Sequence, residues 1–195
     1  GLMVGAGCSV VASIHLSRGK DKVARLNVTQ ALLFVTIIAL IPSIFILTYP
    51  EHTGRMLGSS EHLLPLVKVY LLWSVPSWIF QIWITVSLFI IRLDGSPKLA
   101  MMCSLISAII NVILDWLFIF PFGWGIMGAA FATSISIVTG ALIAIAYLLF
   151  YAHRLRLYRP KWSIKSLRLS IRNLYYQCRI GSSALLGEAT LAVLM

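Results

Sequence analysis

Apolar residues run through this 195-residue chain in long blocks separated by short polar turns, and the block lengths set the elements. Gly1 to Leu16 reads as the end of one helix. A second covers about Asn27 to Thr48, with Pro42 as the expected bend. The block from Pro65 to Ile91 would make about 40 Å of helix at 1.5 Å per residue, too long to stand upright in hydrocarbon. It must tilt or kink, and Pro76 is the expected place. A fourth helix runs from Leu99 to Phe120, with Pro97 suited to its first turn, and a fifth from Ile126 to Tyr151. The connection Tyr49 to Leu63 reads as a loop with at most a short helix. No segment alternates apolar and polar residues with period two, which argues against a barrel. The pattern is that of an all-α polytopic membrane protein with about five spans in residues 1–151, the first of them truncated.

Within the spans, small residues recur every four positions: Gly1, Gly5, Ser9 and Ser13 in the first, then Gly128, Ala132, Ser136, Gly140 and Ala144 in the fifth. Such stripes let helix backbones approach closely. Tyr70, Ser74, Ser77, Gln81 and Thr85 fall within about 80° of arc at 100° per residue, making a polar stripe that either bonds neighbouring helices or borders a substrate path. Trp73, Trp78 and Trp83 stand five apart and so point in different directions; they do not form one cage.

Composition sharpens the class. Hydrophobic residues make up 59% and charged residues 11% of the chain, and mean hydropathy is +0.92, far from a soluble domain, where roughly a quarter of residues are charged. The net charge of +10 suggests a nucleic-acid binder until its distribution is examined. Except for Arg55 and Lys68, every Lys and Arg falls in Arg18–Arg25, in Arg92–Lys98 or between Arg154 and Arg179. Basic connections alternate with base-poor ones across the spans, as the positive-inside bias requires, so the basic loops are cytoplasmic and a nucleic-acid partner is set aside. In the basic stretch 152–180, Lys165, Arg168, Arg172 and Arg179 share one helical face, and Ile164, Leu167, Ile171 and Leu174 an adjoining one, a pattern suited to an anionic leaflet. Residues 181–195 open a further apolar run, and the chain reads as an internal fragment. Cys8, Cys103 and Cys178 are scattered singly, and His52 and His62 lie ten apart in a polar loop, so none is assigned a metal.

One residue stands in the wrong solvent. Asp115 lies inside the fourth helix, with Ser104, Ser107 and Asn111 on the same face. An unpaired carboxylate facing lipid would cost roughly 2.5 to 3.5 kcal/mol on insertion scales, so it faces the bundle or a cavity. There it can exchange a proton for a metal ion or water, the chemistry of an ion-coupling site, or it can serve only to fix helix packing through Asn111, Thr133 or a backbone group. Glu188, in the last apolar run, is a second acidic candidate.

Gly5-Ala6-Gly7 through Arg25, the turn Arg92 to Ala100, and above all Asn111-x3-Asp115 with Ile119-Phe120, Gly123-x-Gly125-x-x-Gly128-Ala129-Ala130 and Ala132-Thr133 resemble the multidrug and toxic compound extrusion (MATE) family. The resemblance implies part of a six-helix amino-terminal lobe of a twelve-helix transporter, with 152–180 as the cytoplasmic linker between lobes and 181–195 as the start of the carboxy-terminal lobe. It also implies efflux of organic, often cationic, compounds in exchange for Na⁺ or H⁺, from a bacterial cell membrane. The family's cation site then falls on Asn111, Asp115 and Thr133, which would be metal ligands only if the coupling ion is Na⁺. Its first-helix Asp would lie before Gly1. Tyr70, Ser74, Ser77, Gln81 and Glu188 would border the substrate path, and no cofactor beyond the coupling ion is implied. A lipid-linked saccharide flippase of the same superfamily would want cationic residues at mid-depth, which the spans lack. A membrane-embedded enzyme would need a nucleophile and base or a metal cluster there, so neither an enzyme nor a flippase is the preferred reading.

Overall fold

Two glycines in left-handed backbone close the carboxy-terminal ends of the first and third long helices. Gly19 (φ 68°) and Gly95 (φ 93°) each let the chain turn back on the helix it leaves. At the second, the Gly95 N–H donates to the Arg92 carbonyl and the Ser96 N–H to the Ile91 carbonyl; at the first, Gly19 N–H donates to Leu16 and Lys20 N–H to His15. This paired pattern satisfies the last carbonyls of a helix and needs a residue free of a Cβ at the turn.

The computed structural model describes residues 1–56, 58–61, 63–155, 172–183, 186, 187 and 190. The helices are α1 (Leu2–Ser17), α2 (Asp21–Thr48), α3 (Pro50–Met56), α4 (Leu64–Leu93), α5 (Pro97–Ile119) and α6 (Gly125–Ala146). The last continues into a π-helical turn, Tyr147–Tyr151, and residues 172–183 are helical again. No strand occurs among the described residues. Helices α2, α4, α5 and α6 with its π turn are long and apolar enough to cross a membrane, while α1 is a shorter apolar helix.

The helix limits follow the hydrophobic blocks with one correction. Helix α2 begins at Asp21 and not near Asn27, because its charged first turns continue the helix beyond the apolar block. It runs unbroken through Pro42, and α4 through Pro76. Pro97 occupies the first turn of α5 as its missing N–H allows. The outer connection contains the short α3, whose Glu51 meets Lys68 of α4 at 2.7 Å. That partnership holds the Glu51 carboxyl below the ordinary carboxylate range.

Helix α4 is the centre of the bundle, packed on α6, α2, α1 and α5, while α6 lies between α4 and α5. The small-residue stripes set these contacts. A Cβ on Gly5 would meet the Phe89 ring at 2.8 Å, and one on Gly140 would meet Ile84 at 2.6 Å and Ser107 at 3.1 Å. On the opposite side of α1, Gly7 receives the backbone of Gln177, and Gly181 receives that of Met3, so segment 172–183 lies directly against α1. Between α2 and α4 the Trp83 indole N–H donates to Thr36 Oγ1 at 2.6 Å. The main apolar core includes Val28, Val35, Val86, Ile90, Ile91, Ala144, Leu148 and Leu155, concentrated in the half of the bundle that holds the α4–α5 turn. Helix α5 by contrast leaves Met101, Leu105, Val112, Ile113 and Trp116 exposed.

Candidate functional site

Heptad-like spacing puts Ser104, Ser107, Asn111 and Asp115 on one side of α5, and the structure places the middle of that row against α6. Ser107 Oγ donates to the Ser136 carbonyl at 2.8 Å, and Ser136 Oγ donates to the Thr133 carbonyl at 2.8 Å. One turn farther out, Asn111 Nδ2 donates to Thr133 Oγ1 across the interface at 3.4 Å. Ser104 turns back on its own helix, to the Ala100 carbonyl at 3.4 Å. Thus two of the three expected coupling residues meet directly, joined by a hydroxyl ladder that also fixes Thr133.

Asp115 is half-buried, and its Oδ1 is enclosed with no hydrogen-bond partner. A buried carboxylate oxygen without a donor is costly, because it forfeits water without compensation. The Asp115 carboxylate, the Asn111 Oδ1 and the Thr133 hydroxyl are hard oxygen donors of the kind an alkali cation takes, and none has the thiolate or imidazole character that would select a transition metal. Among the described residues no cluster of three His, Cys, Asp or Glu side chains could hold a metal ion.

The polar stripe of α4 does not present a single surface. Ser74 and Ser77 are buried, with Ser77 Oγ donating to the Ser74 carbonyl at 2.6 Å, whereas Tyr70 and Gln81 are exposed. Near Ser74, Ser134 Oγ of α6 donates to the Trp73 carbonyl at 2.9 Å, so this stretch of α4 is tied to the helix that carries Thr133. Glu188 lies outside the described residues, as do Ile164, Lys165, Leu167, Arg168 and Ile171 of the basic stretch.

Two features escaped sequence reasoning. Five aromatic rings, Trp73, Phe118, Phe122, Trp124 and Phe131, form a connected cluster at the outer end of the α5–α6 hairpin, with Phe118 stacked on Trp124 at 5.2 Å. Phe118 is one turn from Asp115 along α5, so the cluster adjoins the candidate site. Its signal was the aromatic content of 118–124, but the partners Trp73 and Phe131 lie on other helices. The second feature is Asp94 at the end of α4, 8% exposed, whose carboxylate accepts from the backbone N–H groups of His153, Arg154 and Leu155 and from the Tyr147 hydroxyl. Burial pushes this carboxyl up, but the three peptide donors and the phenol outweigh it and hold the group below its ordinary range.

Comparison with known proteins gives three concordant results. The profile of the MatE family matches residues 1–117. "Multidrug export protein MepA" of Staphylococcus saprophyticus is 33% identical over 99 residues, covering 51% of this chain and 22% of that protein. "FAD transporter" of Shewanella oneidensis is 34% identical over 173 residues, covering 85% of this chain and 37% of that one. The chain therefore spans well under half the length of these curated relatives. Among solved structures, the "inward-facing conformation of a multidrug resistance MATE family transporter of the MOP superfamily" superposes with a TM-score of 0.75 at 22% identity, covering 91% of this chain and 41% of that one. The "outward-facing conformation of a multidrug resistance MATE family transporter of the MOP superfamily" gives a TM-score of 0.74, also at 22% identity, covering 94% of this chain and 42% of that one.

Proposed function

The chain belongs to the MatE family of helical membrane transporters, and from that premise we propose that it carries the ion-coupling half-site of a secondary active exporter. Asp115 takes up the coupling H⁺ or Na⁺, and Asn111 and Thr133 complete its coordination. The observation that carries this reading is the enclosed, partnerless Asp115 Oδ1 on the same helix face as the Asn111–Thr133 contact. Ion release changes the charge at the α5–α6 interface, and that change in charge is what would couple the ion to the position of α5 against α6.

The cargo proposed is an organic compound, often cationic, moved out of a bacterial cell across its cytoplasmic membrane. MepA is named a multidrug export protein, and the relatives are bacterial. A second reading has its own support: the relative named as an FAD transporter matches 85% of this chain where MepA matches 51%. A flavin nucleotide would then be the cargo.

Both readings are tested in the full-length protein containing this chain, expressed in cells stripped of their own exporters. Efflux of a cationic dye and release of flavin into the medium are followed in parallel. Asp115→Asn is expected to abolish ion-driven efflux while the amount of folded protein stays near wild type. Loss of folded protein with unchanged transport per molecule would assign Asp115 to packing instead.

A further inference from the structure

At the cytoplasmic end of the bundle a single carboxylate gathers three elements. Asp94 stands in the α4–α5 turn. Its Oδ1 accepts from the Arg154 and Leu155 N–H groups at 2.8 and 2.9 Å, and its Oδ2 from the His153 N–H at 2.9 Å and the Tyr147 hydroxyl at 3.1 Å. The Tyr147 hydroxyl also lies 2.8 Å from Ser96 Oγ of the same turn. From α2, the Arg25 Nε donates to the Arg154 carbonyl at 2.7 Å. Three successive peptide N–H groups converging on one anion make a backbone nest, a geometry that binds negative charge strongly. Here the chain fills its own nest.

The chain reaching that nest has already left the α-helix. After Ala146 it passes through the π-helical turn Tyr147–Tyr151, and then Leu155 inserts its side chain fully into the core while His153 and Arg154 remain exposed. Residues 147–155, which follow α6, are therefore held against the α4–α5 turn.

We propose that Asp94 is a latch that fastens the exit of α6 to the α4–α5 turn, so that residues 147–155 move with α4 and α5 as one body. Asp94 is thus a positioning residue: it touches no cargo, and it passes any displacement of the α4–α5 turn to the chain that continues from α6. The inference stands apart from the transport reading, because it concerns only which parts of the cytoplasmic face move together.

The test uses hydrogen exchange with mass spectrometry on the full-length protein in nanodiscs, for wild type, Asp94→Asn and Tyr147→Phe. In wild type the amides of His153, Arg154 and Leu155 should exchange slowly although two of these side chains are exposed. Asp94→Asn should speed their exchange at least tenfold, and Tyr147→Phe by a smaller factor, with peptides from α5 and the helical part of α6 unchanged. Tryptic cleavage after Arg154 should accelerate in the same order. Retained protection of 153–155 in Asp94→Asn overturns the latch. So does loss of protection throughout α4–α6 in both variants, which would make Asp94 a general support of the fold.

Discussion

Gly140 of α6 faces side chains of both α4 and α5 at close range, and adding one methyl there tests the packing that supports the candidate site. The Cβ of Gly140→Ala would lie 2.6 Å from Ile84 Cδ1, 3.1 Å from Ser107 Cβ and 3.2 Å from Ser107 Oγ. The Ile84 methyl ends a flexible side chain and can rotate away at about 0.5 to 1.5 kcal/mol. Ser107 cannot retreat so easily, since its Oγ is committed to the Ser136 carbonyl, a bond contributing about 0.5 to 1.5 kcal/mol net. Against these costs, Ala gains up to about 1 kcal/mol over Gly in helix propensity. The balance is a destabilisation of about 1 kcal/mol, well short of the largest overpacking costs. Ser107→Gly alone should also destabilise, because it removes the interhelical bond. Combined, the two should cost about 1 kcal/mol less than their sum, because removing the Ser107 side chain makes room for the new methyl. Unfolding of the purified full-length protein in detergent, for the two single variants and the double, gives the coupling directly. A Gly140→Ala protein more stable than wild type, or additivity within about 0.5 kcal/mol, would refute the three-helix packing argument.

Other outcomes follow from single contacts. Thr36→Val strands the Trp83 indole N–H at membrane depth and should cost about 0.6 to 1.7 kcal/mol, the range of hydrogen bonds between membrane helices; unfolding with indole fluorescence as the probe measures it. Gly181→Ala would drive a methyl into the Met3 carbonyl oxygen, where only backbone can yield, whereas a methyl on Gly187 meets nothing within 4 Å among the described residues. Thermal denaturation should therefore show Gly181→Ala clearly destabilised and Gly187→Ala unchanged or slightly more stable. Because the fold lowers the Asp94 carboxyl below its ordinary 3.8, its contribution is fully present above that value and is lost as pH falls through the folded one. Amide protection of 153–155 should thus stay flat from pH 7 to about pH 4 and decline only in stronger acid. A decline already complete at pH 5 would contradict it.

Helix content and order were legible because apolar blocks of the right length leave a membrane chain few alternatives. Asp115 was legible for a related reason: a charge inside such a block demands an explanation. The spacing of Ser107, Asn111 and Asp115 further placed them on one face, and the structure sets the first two against α6 through Ser136 and Thr133. What stayed hidden depended on partners distant in sequence. The first turns of α2 are too charged to read as membrane span, yet Ala24 is fully buried there, because a helix continues wherever neighbouring elements cover one of its faces. The α4 stripe was correctly polar, but periodicity does not say which neighbour each residue meets, and Ser77 proved buried where Gln81 is exposed. Asp94 sat unnoticed in a basic turn, although an acid among cations beside a turn glycine is a fair signal of an intended local partner. Its donors lie some 60 residues ahead, in a stretch whose basic composition resembles a solvated linker.

The central claim is that the Asp115 carboxylate exchanges the coupling ion. Reconstituted full-length protein in proteoliposomes, with internal Na⁺ and pH each reported by a dye, measures that exchange directly. Adding substrate to one side of the wild-type protein should drive a stoichiometric counterflow of one of the two ions. Asp115→Asn should bind the substrate with near-normal affinity yet give no ion movement. Counterflow that persists in Asp115→Asn at the wild-type ratio would contradict the account.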